Sequence, residues 1–472
     1  PSIVLEKKIY LSIIQYRHVI RHQLSKSVPM PEYRRSSVID APRESVFEWH
    51  TRPGAFDRLA PPWAKTRILG TTGTPPEPGA EVRLAVGLGP LWRPWTARHE
   101  EWEPGAFFTD RQHLGPFGAW HHLHRFEDVG DKQTRLEDVV TYALPFGPLG
   151  RVGNTLAQQA IDRMFAYRHR VTTADLACHQ NYGLAPQRVA VTGSSGLIGT
   201  ALTAFLGSGG HRVTRLTRPA SSDQDAVSSV AGRWPDEVLG TSDTVIHLAG
   251  ENIAGGRWTN ARKQRIRESR VAGTRQLTEQ LARLEHPPRT LICASAIGIY
   301  GHRNLTPVDE SSPQGEDFLA NVCQEWEAAA QPARNAGIRV LHLRLGVVLT
   351  PAGGALARML SPFRLGIGGV LGSGRQMMSW ISIDDVLAAV LHVMSEPSLD
   401  GPVNVVAPHA VDNRTFTHAL GSVLRRPTMV PVPAVALRGL FGVMADALLL
   451  GGTRVRPSRL LDSGFTCRYP EV

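Results

Sequence analysis

The run Thr192-Gly193-Ser194-Ser195-Gly196-Leu197-Ile198-Gly199 spaces its glycines in a way that suits one kind of chemistry. An apolar stretch, Val189-Ala190-Val191, leads into it, and a helical pattern from Leu197 to Leu206 follows. In such a strand–turn–helix, Gly193 permits the tight turn and Gly196 lets the backbone approach a pyrophosphate. Gly199 lets the helix pack close to the sheet. The free amides and the dipole of the helix N-terminus favour negative charge at that point. Gly193, Ser194, Ser195, Gly196, Leu197, Ile198 and Gly199 are therefore the expected contacts of a dinucleotide cofactor. The next strand reads Arg212-Val213-Thr214-Arg215-Leu216-Thr217-Arg218. An acidic residue near its end would bond a ribose 2′-hydroxyl. Thr217 and Arg218 stand there instead, and an arginine suits a 2′-phosphate. NADP(H) is expected ahead of NAD, with Arg218 on the phosphate. Leu248, Ala249 and Gly250 close a later strand, Val245-Ile246-His247-Leu248-Ala249-Gly250. They are small enough for the adenosine side of the cofactor to cross the sheet edge. His247 is expected to pack within its strand.

A second group is His121-His122-Leu123-His124. Alternation in a strand puts His122 and His124 on one face and His121 on the other. Two imidazoles can help bind zinc, but no third ligand is evident nearby, so no metal is assigned and a packed strand face is expected. Trp92, Trp95, Trp102 and Trp120, with Phe107 and Phe108, either line an apolar cavity or fill an ordinary core, the second being slightly favoured. Four cysteines, Cys178, Cys293, Cys323 and Cys467, form no CxxC pair. That fits a reducing compartment, and a cytoplasmic location is expected. The net charge of +10 is arginine spread along the chain, densest over Ala261 to Arg270. A solvated helix face is the expected reading, with a positive rim beside a phosphate-bearing cofactor as the other. No nucleic-acid motif accompanies the charge, so no nucleic-acid partner is expected.

These residues need elements to hold them. Residues 1–30 read as an extension, without the apolar core of a secretory signal. Residues 31–180 begin with a strand, Tyr33 to Ile39, and a short helix through Trp49. Strand-like runs follow at Glu81 to Val86, Trp95 to Trp102, Phe107 to Arg111, Trp120 to Glu127 and Thr134 to Ala143. A long amphipathic helix closes this part, with Leu156, Ile161, Met164 and Phe165 on its apolar face. After a polar turn, residues 187–415 alternate strands and helices, which predicts βαβ units and a parallel sheet. Residues 416–472 form a proline-punctuated helical tail. Its most apolar stretch, Ala434 to Leu450, is interrupted by Arg438 and Asp446, so no transmembrane segment is expected. The fold class is α/β, a Rossmann-type doubly wound parallel sheet preceded by an α+β domain.

The element order of residues 31–180, with Phe108-Thr109-Asp110 and the run Arg163 to Arg170, resembles the helix-grip domains of the START and polyketide-cyclase type. Such folds wrap a curved sheet around a long helix and often enclose an apolar cavity. The glycine turn, His247-Leu248-Ala249-Gly250, Ser295 to Gly301, Leu343-Arg344-Leu345-Gly346 and Trp380 to Asp385 resemble the extended short-chain dehydrogenase/reductase superfamily. Gly250-Glu251-Asn252-Ile253, Trp326-Glu327 and Gly374 to Trp380 are similar to its nucleoside-diphosphate-sugar epimerase-like branch of unknown substrate. That chemistry uses a tyrosine and a lysine four residues apart on one helix, the lysine lowering the tyrosine pKa. Where the resemblance implies the pair, the chain reads Asp317-Phe318-Leu319-Ala320-Asn321-Val322-Cys323. Phe318 has no hydroxyl and Val322 no charge. Ser295 is the nearest match to the superfamily serine, and Tyr300 is the candidate substitute acid or a packed ring. The resemblance implies an NADP(H)-binding oxidoreductase or epimerase acting on a small molecule. A cofactor-binding sensor or scaffold is the alternative, as is apolar-ligand binding by the first domain. Homodimers are the commonest assembly of soluble proteins in general, so a homodimer is the assembly to test for.

Overall fold

A computed structural model describes residues 30–88, 91–145, 153–217, 226–230 and 232–472. Arg218 and the extension before residue 30 lie outside these described residues. The chain divides into two compact units. The first takes the chain as far as Glu48 together with Ala64–Arg170, and the second takes Trp49–Trp63 and Val171–Val472.

In the first unit, strands β1 (Glu32–Ile39), β2 (Thr66–Thr72), β3 (Glu81–Leu88), β4 (Leu91–Glu103), β5 (Phe107–Leu114), β6 (Ala119–Gly130) and β7 (Gln133–Ala143) form one antiparallel sheet. Its order is β1-β7-β6-β5-β4-β3-β2. Hairpin connections alone produce the run from β2 to β7, and β1 then pairs with β7. Helix α1 (Arg43–Thr51) follows β1. β2 escapes the sequence reading because it is an edge strand with little burial on either face, so no period-two signal marks it.

Two further helices are α2 (Ala55–Leu59) and the long α3 (Asn154–Tyr182). Ile161 and Phe165 of α3 are buried against Tyr33, Trp120, Val140 and Tyr142 of the sheet, which is the helix-grip arrangement. Leu156 was expected on this face and is 73% exposed. At about 100° per residue it lies some 140° around the helix from Ile161, so it faces away from the sheet. Trp120 and Phe108 are core residues. Trp95 packs edge-on against Trp120 and Phe117, with centroids 5.3 and 5.8 Å apart. Trp92 is instead 44% exposed, with the Arg67 guanidinium 4.7 Å above its ring.

In the second unit, β8 (Arg188–Thr192), β9 (Arg212–Thr217), β10 (Val227–Ser228), β11 (Thr244–His247) and β12 (Thr290–Ala296) lead to a small ladder strand, β13 (Asn304–Val308). Strands β14 (Arg339–Leu345), β15 (Val347–Leu349), β16 (Met377–Met378), β17 (Trp380–Ser382), β18 (Gly401–Val405), β19 (Val411–Asp412) and β20 (Thr453–Val455) follow. The main sheet is parallel throughout, in the order β10-β9-β8-β11-β12-β14-β18. Helices α4 (Leu197–Ser208), α5 (Asp236–Gly240), α6 (Asn260–Leu281), α7 (Phe318–Ala328), α8 (Gln331–Asn335), α9 (Gly354–Arg364) and α10 (Ile383–Ser395) lie between strands. Along β8, Val189 and Val191 enter one buried cluster with Leu202, Phe205 and Val386, while Ala190 enters another with Leu216, Leu277 and Val340. Strands buried on both faces need continuous apolar runs, which these are. The tail is not purely helical, since β20 pairs with β13.

The Trp49–Trp63 excursion belongs to the second unit for identifiable reasons. Gly54, at φ +90°, lies so close to α4 that a Cβ would stand 2.4 Å from the Ala204 carbonyl oxygen. Arg58 in α2 donates from Nε and Nη2 to Asp175 at 2.7 and 2.8 Å, and Nη2 also reaches Asp384 at 3.1 Å. Asp384 and Asp385 stand in the first turn of α10. Ser382 is the cap, its hydroxyl oxygen accepting the Asp385 amide at 2.9 Å. The Asp385 carboxylate instead accepts the amides of Arg468 and Tyr469 at 2.7 and 3.1 Å, tying down the tail.

Candidate active site

From β8 the chain moves outward to β9 and β10, then returns to β11 and continues to the other side. The direction reverses between β8 and β11, and the crevice beyond the carboxyl ends of two such strands is where open α/β sheets take ligands. Gly193 and the segment Leu248 to Gly250 stand there. Gly193 has φ +69°, and a Cβ on it would come within 2.7 Å of Ala249 N and the Leu248 carbonyl carbon. A Cβ on Gly199 would stand 2.1 Å from the Gly193 oxygen. Gly196 donates its amide to that same oxygen at 2.9 Å and opens α4 without a side-chain cap. The amides of Leu197, Ile198 and Gly199 thus begin a helix whose first turn is free for an anion. Ser195, Gly196 and Gly250 are exposed, and Leu197, Ile198, Leu248 and Ala249 are half-buried. Ser194 is buried, and its hydroxyl has no hydrogen-bond partner among the described residues. The Arg270 guanidinium lies beside Gly250 and donates to the Glu251 carbonyl at 3.0 Å.

A polar chain runs beneath this turn. Trp326 Nε1 donates to Thr274 Oγ1 at 2.9 Å, Thr274 Oγ1 lies 3.0 Å from His247 Nε2, and His247 Nδ1 lies 2.7 Å from Thr192 Oγ1. Since Thr274 accepts from the indole, its own hydroxyl is free to donate to Nε2, and His247 Nδ1–H can donate to Thr192. Burial pushes the His247 pKa down to about 4, so the ring is neutral. His247 is packed in its strand as expected.

Ser295 and Tyr300 belong to one buried network. Ser295 Oγ donates to Glu327 Oε1 at 2.7 Å. Arg344 Nε and Nη2 grip the same carboxylate, and Arg344 Nη1 donates to the Tyr300 hydroxyl at 2.9 Å. The hydroxyl in turn donates to Asn404 Oδ1 at 2.7 Å. Tyr300 is 0% exposed, and burial raises its pKa against the opposing pull of Arg344. In the sequence Glu327 and Arg344 stand only as parts of motifs, and nothing local shows that they join the serine to the tyrosine or that Asn404 takes part.

Phe318 opens α7, its ring edge-on to Trp258 at 5.4 Å, and Val322 is buried. A lysine does approach from another helix. Lys263 of α6 places Nζ 5.2 Å from the centre of the Phe318 ring.

The histidine group of the first unit gains a neighbour that the sequence hides. His122 and His124 share the buried face of β6, and the fold brings Asp110 of β5 against both. Asp138 of β7 and His169 of α3 complete the cluster.

Comparison with known proteins accords with this geometry. Residues 189–407 match the NAD dependent epimerase/dehydratase family. Residues 39–165 match the polyketide cyclase / dehydrase and lipid transport family, and residues 432–472 a domain of unknown function, DUF1731. An epimerase family protein of Mycobacterium bovis is 46% identical over 286 residues, covering 60% of this chain and 94% of the relative. The crystal structure of a nucleoside-diphosphate sugar epimerase from Corynebacterium glutamicum aligns with TM-score 0.77 and 33% identity, over 93% of this chain and 88% of that one. The human epimerase family protein SDR39U1, isoform 2, crystallised with NADPH, aligns with TM-score 0.55 and 34% identity, over 60% of this chain and 96% of that one. No helix among the described residues is long and apolar enough to cross a membrane. With its glycine turn at the strand reversal and near full-length similarity to these relatives, the chain belongs to the epimerase family of extended short-chain dehydrogenase/reductases, carrying a polyketide-cyclase-type domain in front and a DUF1731 domain behind.

Proposed function

We propose that the second unit binds NADP(H) at the reversal between β8 and β11 and acts as an oxidoreductase or epimerase on a small molecule. The observation that carries this is the contact of Gly193 with Leu248 and Ala249 below an uncapped α4 N-terminus. The Leu197, Ile198 and Gly199 amides would hold the pyrophosphate, with the Ser194 hydroxyl as a further donor. Arg218 is assigned to the 2′-phosphate from its sequence position, and the NADPH-bound human relative supports that preference. Bound NADP(H) supplies or accepts a hydride. Ser295 and Tyr300, both buried and engaged through Glu327 and Arg344, position the floor of the site. Lys263, beside Phe318, is the proton-bearing group offered near the place of the absent tyrosine–lysine pair.

The test is a fluorescence titration with NADPH and NADH, wild type beside Arg218→Ala. Tight NADPH binding, and loss of the preference in the variant, is the expected result. Failure of both nucleotides to bind would overturn the proposal. A second reading, cofactor binding without turnover, is favoured by Phe318 and Val322 at the pair's position. Hydride exchange with any member of a carbonyl, enone and nucleotide-sugar panel would remove it.

A further inference from the structure

The register of the first sheet sets a row of ligand-type residues on one face. His99 of β4 stands opposite Asp110 of β5, and Asp110 opposite His122 of β6. His124, two residues on, stands opposite Asp138 of β7. Asp110 Oδ2 lies 3.2 Å from His122 Nδ1 and 3.8 Å from His124 Nε2. Two donors bound about 2.0–2.1 Å from one tetrahedral ion stand roughly 3.4 Å apart. The two separations from Asp110 therefore already sit near the spacing that an ion would impose, and the ligand atoms of all three residues lie within 4.8 Å of one another.

The far sides of both rings are fixed by one carboxylate. His122 Nε2 lies 2.9 Å and His124 Nδ1 2.8 Å from Asp138 Oδ1. His169 Nε2 lies 2.7 Å from Asp138 Oδ2, and His169 Nδ1 lies 2.9 Å from the Ser37 hydroxyl. An ionised carboxylate only accepts, so His122 and His169 each turn an N–H toward Asp138, and His124 Nδ1 makes a close contact with the same carboxylate. The opposite nitrogen of His122 then presents a lone pair to Asp110, and His124 Nε2 faces that same carboxylate. A cation between these groups would draw them together. A carboxylate behind a metal-bound imidazole is the usual way of fixing its tautomer and raising its basicity.

The cluster holds two carboxylates, Asp110 and Asp138, and both act on the Arg168 guanidinium of α3. His99 also borders the cluster. It is 9% exposed, and its Nδ1 has no hydrogen-bond partner among the described residues. The same histidine lines an open cleft with Pro78, Arg98 and Gln112, which offers an approach from solvent.

We propose that Asp110, His122 and His124 form a binding site for one divalent first-row transition-metal ion, with Asp138 holding His122 in the ligating tautomer and flanking His124. Two imidazoles and one carboxylate suit zinc or iron(II) rather than calcium or magnesium. The competing occupant is a proton on His122, which would satisfy Asp110 without any ion.

The experiment uses the untagged full chain, stripped with a chelator and titrated with Zn(II) and then with Co(II) as a spectroscopic probe. One equivalent of tightly held metal is expected, with Co(II) absorption bands in the visible and a melting temperature raised by Zn(II). Asp110→Asn, which keeps shape and hydrogen bonding, should weaken binding by at least about 10-fold, in line with losses seen when metal-site groups are altered. NADPH titration of the same variant reports that the second unit is intact. A folded wild type that retains no metal would overturn the proposal in favour of the proton. So would Asp110→Asn binding as tightly as wild type.

Discussion

Arg344 holds Glu327 with two parallel hydrogen bonds, Nε to Oε1 and Nη2 to Oε2, both 2.9 Å long. The pair bridges β14 and α7, and through Ser295 and Tyr300 it reaches the end of β12 and the turn after it. Both side chains are almost fully buried. Such a pair is worth little against apolar replacements, yet breaking it from one side leaves a buried charge alone.

Glu327→Gln should therefore destabilise the protein by about 3–5 kcal/mol. Replacing both partners, as Glu327→Leu with Arg344→Met, should recover a large part of that loss. Chemical denaturation of the single and double variants is the check. A single variant as stable as wild type would mean that the network is not held by this pair.

Tyr300→Phe separates structure from chemistry. It leaves Asn404 Oδ1 without its donor and Arg344 Nη1 without its acceptor, at a cost of about 1–3 kcal/mol. NADPH affinity should be unchanged. Once a substrate is found, loss of turnover with unchanged stability would show the hydroxyl acting on that substrate and contradict a positioning role.

Gly199→Ala should weaken cofactor binding. A Cβ there would lie 2.1 Å from the Gly193 oxygen, so either the turn or the first turn of α4 must move. Affinity for NADPH should fall by more than about 10-fold, equivalent to about 1.4 kcal/mol. Isothermal titration beside the wild type decides it.

His247 gives a pH dependence of known sign. Burial lowers its pKa from 6.5 to about 4. The unfolded chain binds the proton first as pH falls, so the stability from this residue is complete above about 6.5 and is lost down to about 4. The loss amounts to about 3 kcal/mol. His247→Gln, which can bridge Thr192 and Thr274 without titrating, should flatten that part of the stability–pH profile. Equal slopes for wild type and variant would refute the assignment.

What was legible in the sequence was local. The glycine turn follows a strand and precedes a helix within a dozen residues, and β1, β6 and β7 of the first unit carry their own alternation. β18 was missed because Gly401 and Pro402 open it and read as a turn. The residues that build the sites were hidden for a different reason. Asp110 meets His122 only through strand register, and Arg58 meets Asp175 across 117 residues of chain. Local patterns show which residues face inward but not which distant residue they will face. Leu156 shows the limit even within one helix, where an apolar residue off the 3.6-residue stripe faces solvent.

The excursion Trp49–Trp63 has a genetic consequence. The family boundary for the first domain spans residues 39–165 as one uninterrupted stretch, yet that stretch encodes α2 and Arg58, which belong physically to the second unit. Excising the first domain along its family boundary would also delete the guanidinium that neutralises Asp175 and reaches Asp384. The gene's modules and the protein's modules are cut along different lines, and a domain swap that respects the physical line must leave Trp49–Trp63 behind.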